Sequence, residues 1–170
     1  MINHRINDLK NLFNKENIDG YVVPKNDEFF SEFSKFDRLK IISNFSGSAG
    51  YAIVLKKKNY LFVDGRYTIQ AQIESSKNFI ITEYHKIVNC NLFKNLTLGI
   101  NPKLFTSNQI KKFFLKNNKI KLIEVDLIKQ NSEKKLNDLR PFFSLDKLIV
   151  GESHKKKINK IINFLKKNKS

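Results

Sequence analysis

The feature that most constrains this chain is a pair of short β-forming runs, Tyr51-Ala52-Ile53-Val54-Leu55 and Tyr60-Leu61-Phe62-Val63, separated by Lys56-Lys57-Lys58-Asn59. β-Branched and aromatic residues favour extended backbone, and a polar connection of this length folds one run back on the other, so the segment reads as a β-hairpin with three lysines in a solvated turn. The chain has 170 residues, 41% of them hydrophobic, which suffices for one good core and is too little for two ordinary domains.

The hairpin sits among alternating helices and strands. Ile2, Ile6, Leu9, Leu12 and Phe13 form a stripe with the 3.6-residue period of a helix laid on a core, stopping near Asp19-Gly20. Gly20 is placed to reverse the chain, and Tyr21-Val22-Val23 reads as a short buried strand that Pro24 ends. From Lys25 to Lys40 the phenylalanines Phe29, Phe30, Phe33 and Phe36 are too irregularly flanked to assign an element. Thr68 to Glu74 reads as a helix, Phe79-Ile80-Ile81 as a strand, and Leu96 to Ile100 as a strand stopped by Pro102. Thr106 or Ser107 can cap a helix with Ile110, Phe113 and Phe114 inward and Lys111, Lys112 and Lys116 outward. A half-buried strand over Ile120 to Val125 follows, then a loop or short helix over Lys129 to Asp138. This alternation predicts an α/β fold with a mixed β-sheet flanked by helices over residues 1–150.

Beyond Gly151 the character changes. Ser153 can cap a helix in which Ile158, Ile161, Ile162 and Leu165 form a stripe, so residues 151–170 read as an amphipathic C-terminal helix. Its stripe is expected to bury itself on this domain, on a second chain as in a homodimer, or on a following domain.

A net charge of +16 raises nucleic-acid binding, yet the pattern argues against a specific site. Only Arg5, Arg38, Arg66 and Arg140 are arginines; the other cations are scattered lysines, which lack the bidentate fork that base reading prefers. Lysine, asparagine and isoleucine are abundant throughout, which points to composition rather than a phosphate-binding face. No run of about 18 apolar residues exists and the N-terminus lacks the layout of a signal peptide, so a cytoplasmic protein without membrane attachment is expected. The single cysteine, Cys90, cannot form an internal disulfide and reads as a buried or incidental thiol.

Few residues suggest chemistry. His4, His85 and His154 lie in three different elements without metal-ligand spacing and read as surface residues. Glu124 and Asp126 share a strand face by their spacing; an exposed edge among lysines is favoured over a working carboxylate pair. Ser46-Gly47-Ser48-Ala49-Gly50 permits close backbone approach, but it leads into a strand, which fits neither a P-loop nor a nucleophile elbow. A tightly packed turn is the better reading. In Asp64-Gly65-Arg66-Tyr67, Asp64 can cap the next helix, Gly65 allows the turn, and Arg66 can either pair with Asp64 or anchor a peptide carbonyl or carboxylate.

Taken together, Asp19-Gly20-Tyr21-Val22-Val23-Pro24, Ser31-Glu32-Phe33, Phe45-Ser46-Gly47-Ser48-Ala49-Gly50 and Asp64-Gly65-Arg66-Tyr67 with Gln70 and Ala71 resemble, in order and spacing, the N-terminal creatinase/prolidase-type domain of aminopeptidase P, the Xaa-Pro aminopeptidase. Gly99-Ile100-Asn101-Pro102 is similar to the family's Gly-x-Asp-Pro, and Arg140-Pro141 to its following Arg-Pro. Asn44 stands where the family has Gly, and Asn101 where it has Asp; tryptophan is absent. Asn44 can still take left-handed backbone. The resemblance implies a ribonuclease H-like topology packed in cis or in trans against a pita-bread catalytic domain. That domain would hold two divalent metals, with manganese the expected element, and act on peptides with proline second. Its five ligands have no counterpart in this sequence, so no residue is assigned to catalysis or metal and the chain alone is expected to be inactive. Among the matched residues the resemblance gives Arg66 a substrate-binding role and makes Gly47, Ser48, Ala49, Gly50, Asp64, Gly65 and Tyr67 the motif around it. The tail after Gly151 resembles the first helix of the middle domain of longer aminopeptidases P.

Overall fold

The computed structural model describes residues 2–31, 34, 36–88, 92–130 and 143–168. Glu32 and Phe33, Cys90, the stretch 131–138 and Arg140-Pro141 therefore lie outside the described residues. The chain divides into two units, Met1–Lys135 and Leu136–Ser170.

In the first unit, α1 (Ile2–Lys15) leads to β1 (Gly20–Pro24), α2 (Arg38–Ser43) and the hairpin β2 (Gly50–Leu55) and β3 (Asn59–Val63). A 3₁₀ turn at Gly65–Tyr67 runs into α3 (Thr68–Ser75), followed by β4 (Ile80–Glu83) and β5 (Thr97–Ile100). Then come α4 (Ser107–Ile110) with a π-helical turn at Lys111–Leu115, β6 (Lys119–Leu122) and α5 (Leu127–Gln130).

The strands form one six-stranded sheet in the order β4-β3-β2-β1-β5-β6. β2 is antiparallel to both neighbours, while β1 with β5, β5 with β6 and β3 with β4 are parallel. Five strands therefore run in one direction and β2 alone runs against them. As a consequence, the loops that follow β1, β3, β4, β5 and β6 all emerge at the same edge of the sheet, together with the loop that enters β2.

Both faces of the sheet are covered, which explains why the central strands read as continuous apolar runs rather than alternating ones. Val23, Ala52, Val54, Leu61 and Val63 face one core with Ile6, Leu9 and Phe13 of α1, Leu39 and Ile42 of α2, Ala71 of α3 and Leu127 of α5. Val22, Ile53, Phe62, Leu98 and Ile100 face the other with Ile87, Phe93, Leu104, Phe105 and Phe114.

Several local readings are corrected. The chain reverses after α1 at Asn17, in left-handed backbone with φ 48°, where the Ile18 N–H donates to the Phe13 carbonyl. Gly20 instead opens β1, where a Cβ would lie 2.3 Å from Leu55 and 2.9 Å from the Val54 carbonyl oxygen, so its role is close strand packing. The strand expected over Ile120 to Val125 ends at Leu122, and the strand expected from Phe79 begins at Ile80, with Phe79 buried just before it. α2 falls in the stretch left unassigned; Asp37 caps it by accepting from the Lys40 N–H. Asn101 accepts from the Lys103 N–H, the same capping service that an aspartate would give.

The second unit contains α6 (Lys147–Val150) and α7 (His154–Lys167). Ser153 caps α7 by accepting from the Lys156 N–H, as expected. The 150/151 boundary anticipated from sequence falls between these two helices, where Gly151 takes φ 75°. No helix among the described residues is long and apolar enough to cross a membrane.

Candidate functional site

The carboxyl edge of the five like-directed strands is where a sheet of this kind presents a binding crevice, because its loops splay apart there. Pairing of Gly50 with Val63 and of Pro24 with Tyr51 sets the loop Asn44–Ala49, the turn Asp64–Tyr67 and the loop after Pro24 side by side at this edge. The motif segments separated in sequence thus meet in space.

The loop into β2 starts from a helix terminus. Asn44 closes α2 in left-handed backbone, φ 69°, and donates its N–H to the Lys40 carbonyl. Phe45 is fully buried beneath the loop, and a Cβ on Gly47 would lie 2.2 Å from its ring. A ring packed on all sides cannot yield to that methyl, so Gly47 is required by close approach. At Gly50 a Cβ would meet the Phe62 carbonyl oxygen at 2.8 Å, across the hairpin. Neither glycine has positive φ, so both serve packing and not turn geometry. Ala49, next to Gly50 in the chain, is half-buried.

Side chains of this loop reach the element after β3, among them Ser46 and Ser48. The Ser48 and Tyr67 hydroxyls are hydrogen-bonded at 2.8 Å. The Ser46 N–H and Oγ both donate to the Glu74 carboxylate, and Gln70 donates to Ser46 Oγ and to Glu74. Burial pushes the Glu74 carboxyl up, but the Ser46 and Gln70 donors outweigh it and leave it below its usual range. Glu74 went unnoticed in sequence, although its i, i+4 spacing from Gln70 on α3 was the available signal.

In the turn after β3, Asp64 accepts from the Arg66 N–H at 3.0 Å and from Arg66 Nε at 2.9 Å. Hydrogen bonding from Arg66 holds the Asp64 carboxyl below the ordinary range. The guanidinium carbon stands 5.5 Å from the Tyr67 ring centre, and that ring packs edge-on against Phe45 at 5.9 Å. Arg66 is nonetheless 74% exposed, which leaves it reachable from solvent. Gly65 is the exception: its φ is not positive and a Cβ there would meet nothing within 4 Å, so the turn does not need glycine.

A neighbouring charged cluster was missed. Arg38, 5% exposed, donates through Nε to Asp126 at 2.6 Å, reaches Glu28 at 3.5 Å and lies 5.4 Å from the Phe36 ring centre. Lys25 pairs with Asp37 at 2.5 Å. Asp126 is therefore neither on the strand nor at an exposed edge: it follows β6, caps α5 through Ile128 and Lys129, and neutralises a buried cation. Glu124 is exposed and does not join it.

Among the described residues no group of three or more His, Cys, Asp or Glu is placed to hold a metal ion. His4 pairs with Asp8 and His85 with Glu83, both at the surface, and His154 is exposed on α7. Asp126, Asp37, Asp64 and Glu74 at the sheet edge already serve Arg38, Lys25, Arg66 and Ser46. This donor set does not fit a pair of divalent ions.

The arrangement can be set beside known proteins. The creatinase/prolidase N-terminal domain family matches residues 5–130. The chain belongs to this family. Its relatives include the probable Xaa-Pro aminopeptidase P of Coprinopsis cinerea, 31% identical over 180 residues that cover 95% of this chain and 28% of the relative. Xaa-Pro aminopeptidase 2 of Rattus norvegicus is 28% identical, over 95% of this chain and 26% of its own length. This creatinase/prolidase domain thus spans less than a third of the curated relatives it matches. In fold it is similar to the X-prolyl aminopeptidase of Caenorhabditis elegans, a cytosolic enzyme with a di-nuclear active site, with a TM-score of 0.68 at 23% identity over 99% of this chain and 32% of that one. The N-terminal domain of the cytoplasmic peptidase PepQ of Mycobacterium tuberculosis gives 0.56 at 18% identity over 75% of this chain and 97% of that one.

Proposed function

We propose that this chain is the non-catalytic N-terminal domain of a Xaa-Pro aminopeptidase, acting in the cytoplasm on peptides with proline at the second position. Arg66 anchors a carbonyl or carboxylate of the peptide, and a separate pita-bread domain, in cis or in trans, holds the two divalent metals and performs hydrolysis. The observation that carries this reading is a reachable guanidinium, held by a carboxylate and an aromatic ring at the sheet's carboxyl edge, on a family member whose relatives are Xaa-Pro aminopeptidases. A planar guanidinium suits such an anchor because it offers a fork of donors to carbonyl or carboxylate oxygens. The chemical step needs donors that the described residues do not assemble, so none is assigned to this chain.

Residues 151–170 are, in this proposal, the start of a following domain that covers the apolar stripe of α7. What supports it is the uncovered stripe itself, in which Ile158, Ile161, Ile162 and Leu165 are all at least 41% exposed.

The test is hydrolysis of the tripeptide Ala-Pro-Ala by the purified chain with manganese. No release of alanine is expected; release that survives repurification would overturn the non-catalytic assignment. In an enzyme carrying the domain, Arg66→Ala is expected to raise KM about tenfold or more, the worth of a hydrogen bond to a charged group.

A further inference from the structure

We infer that the Gly-Ser-Ala-Gly loop is a positioning device for Arg66, working through Tyr67, and that Ser48 and Tyr67 are therefore positioning residues for the peptide anchor. The inference rests on the proposed role of Arg66 for its functional meaning, but its structural content stands separately.

Four contacts make a continuous path. Gly47, lacking a Cβ, lets the Phe45 ring lie directly under the loop. That ring meets the Tyr67 ring edge-on, with centres 5.9 Å apart and planes at 76°, which fixes the tilt of Tyr67. Ser48 Oγ holds the Tyr67 hydroxyl at 2.8 Å, fixing the far end of the same ring. The face so fixed lies 5.5 Å from the Arg66 guanidinium carbon, within the range of a cation–π contact. Asp64 takes the Nε side of the guanidinium and the Arg66 N–H together, tying the side chain to its own turn.

This accounts for a feature otherwise without purpose. Tyr67 is only half-buried and its hydroxyl could be solvated, yet it is bonded across 19 residues to a loop on the preceding strand connection. A long exposed arginine samples many rotamers, and a binding group that must be ordered at the moment of binding loses affinity. Holding the ring at both ends restricts the guanidinium beforehand. Neither Ser48 nor Tyr67 needs to touch the peptide for this to act.

The experiment uses the 170-residue chain and the Nε–Hε signals of its arginines, of which there are only four, with Arg66 assigned by its loss in Arg66→Lys. Ser48→Ala and Tyr67→Phe are each expected to lower the order of the Arg66 Nε–Hε group while the backbone amide spectrum stays folded. Ser48→Thr, which keeps the hydroxyl, is expected to restore it. Titration with Ala-Pro-Ala should show Ser48→Ala weakening binding about two- to fivefold, the scale of an exposed cation–π contact, and no further weakening when Arg66 is already lysine. Unchanged Arg66 order in both Ser48→Ala and Tyr67→Phe overturns the positioning inference. Reduced order with a peptide affinity indifferent to Arg66→Lys would instead sustain the positioning and overturn Arg66 as the anchor.

Discussion

α1 and α7 are both 14-residue amphipathic helices, and their fates differ. In α1 the stripe residues Ile6, Leu9 and Phe13 are 3%, 1% and 1% exposed, packed on the sheet. In α7 the stripe residues Ile158, Ile161, Ile162 and Leu165 stay between 41% and 58% exposed. Periodicity reports that a helix has a face to bury; it does not report what buries it. α1 is followed at once by β1 and packs on the sheet that strand helps to build. Among the described residues of its unit α7 is accompanied by no strand and by the short α6, whose Leu148 and Ile149 are themselves exposed.

The contrast breaks or holds most visibly by truncation. Phe13→Ala is expected to cost about 3–5 kcal/mol, because a buried ring is lost and a cavity remains, whereas Ile161→Ala should change stability by less than about 0.5 kcal/mol in this chain. Urea unfolding of the two variants measures both. Equal losses would mean that the α7 stripe is covered in solution, by a second copy if the effect depends on concentration.

The next effect separates buried from exposed ion pairs. Asp126→Ala leaves the Arg38 guanidinium in the interior with Glu28, at 3.5 Å, as its one carboxylate among the described residues, and a loss of about 3 kcal/mol is expected. Glu152, which bridges Lys156 and Lys160 at the surface of α7, should be replaceable by alanine without moving the thermal midpoint. A large drop for Glu152→Ala would sink the view of α7 as a solvated helix.

These pairs also show what could be read beforehand. The hairpin, α1 and the capped starts at Thr106 and Ser153 were legible because each follows from local propensity and spacing over a few residues. The sheet order was not: the parallel pairing of β1 with β5 joins residues some 78 apart, which no periodicity encodes. Arg38 and Asp126 lie 88 positions apart, so each alone reads as an ordinary surface charge. Gly47 and Gly65 looked alike as turn glycines, yet only Gly47 lies against a ring, a contact made by tertiary packing. The motif loop and Arg66 were found as a family pattern, while the Ser48 to Tyr67 bond that joins them needed coordinates.

A smaller effect should follow pH. The Thr97 N–H and then Lys56 hold the Asp19 carboxyl below its ordinary value in the folded first unit. With a depressed folded pKa the contribution is complete above the unfolded value and is lost as pH falls through the folded one, since the unfolded chain takes up the proton first. Stability should therefore fall on acidification below the usual carboxylate range, and Asp19→Asn should flatten that fall. The lowered Glu152 carboxyl, held by Lys160, has the same sign but acts only on the start of α7. An acid profile unaffected by Asp19→Asn would show that the bond to Thr97 is not a stabilising tie between β1 and β5.

The smallest expected effect is the most direct measure of the difference between the two helices. An isolated 14-residue helix is marginal in water even with good propensity, and the Ser153 cap adds only about 1 kcal/mol. Amides of α7 should then open at a cost of about 1 kcal/mol or less, while those of α1 exchange only with unfolding of the first unit. Hydrogen exchange read at single residues tests this, and Ser153→Ala should erase what protection α7 has without touching α1. Protection of α7 equal to that of α1 would show its stripe already buried in this chain. Protection that rises only when the remainder of a longer aminopeptidase is supplied would mark that stripe as the seam along which this domain joins the next.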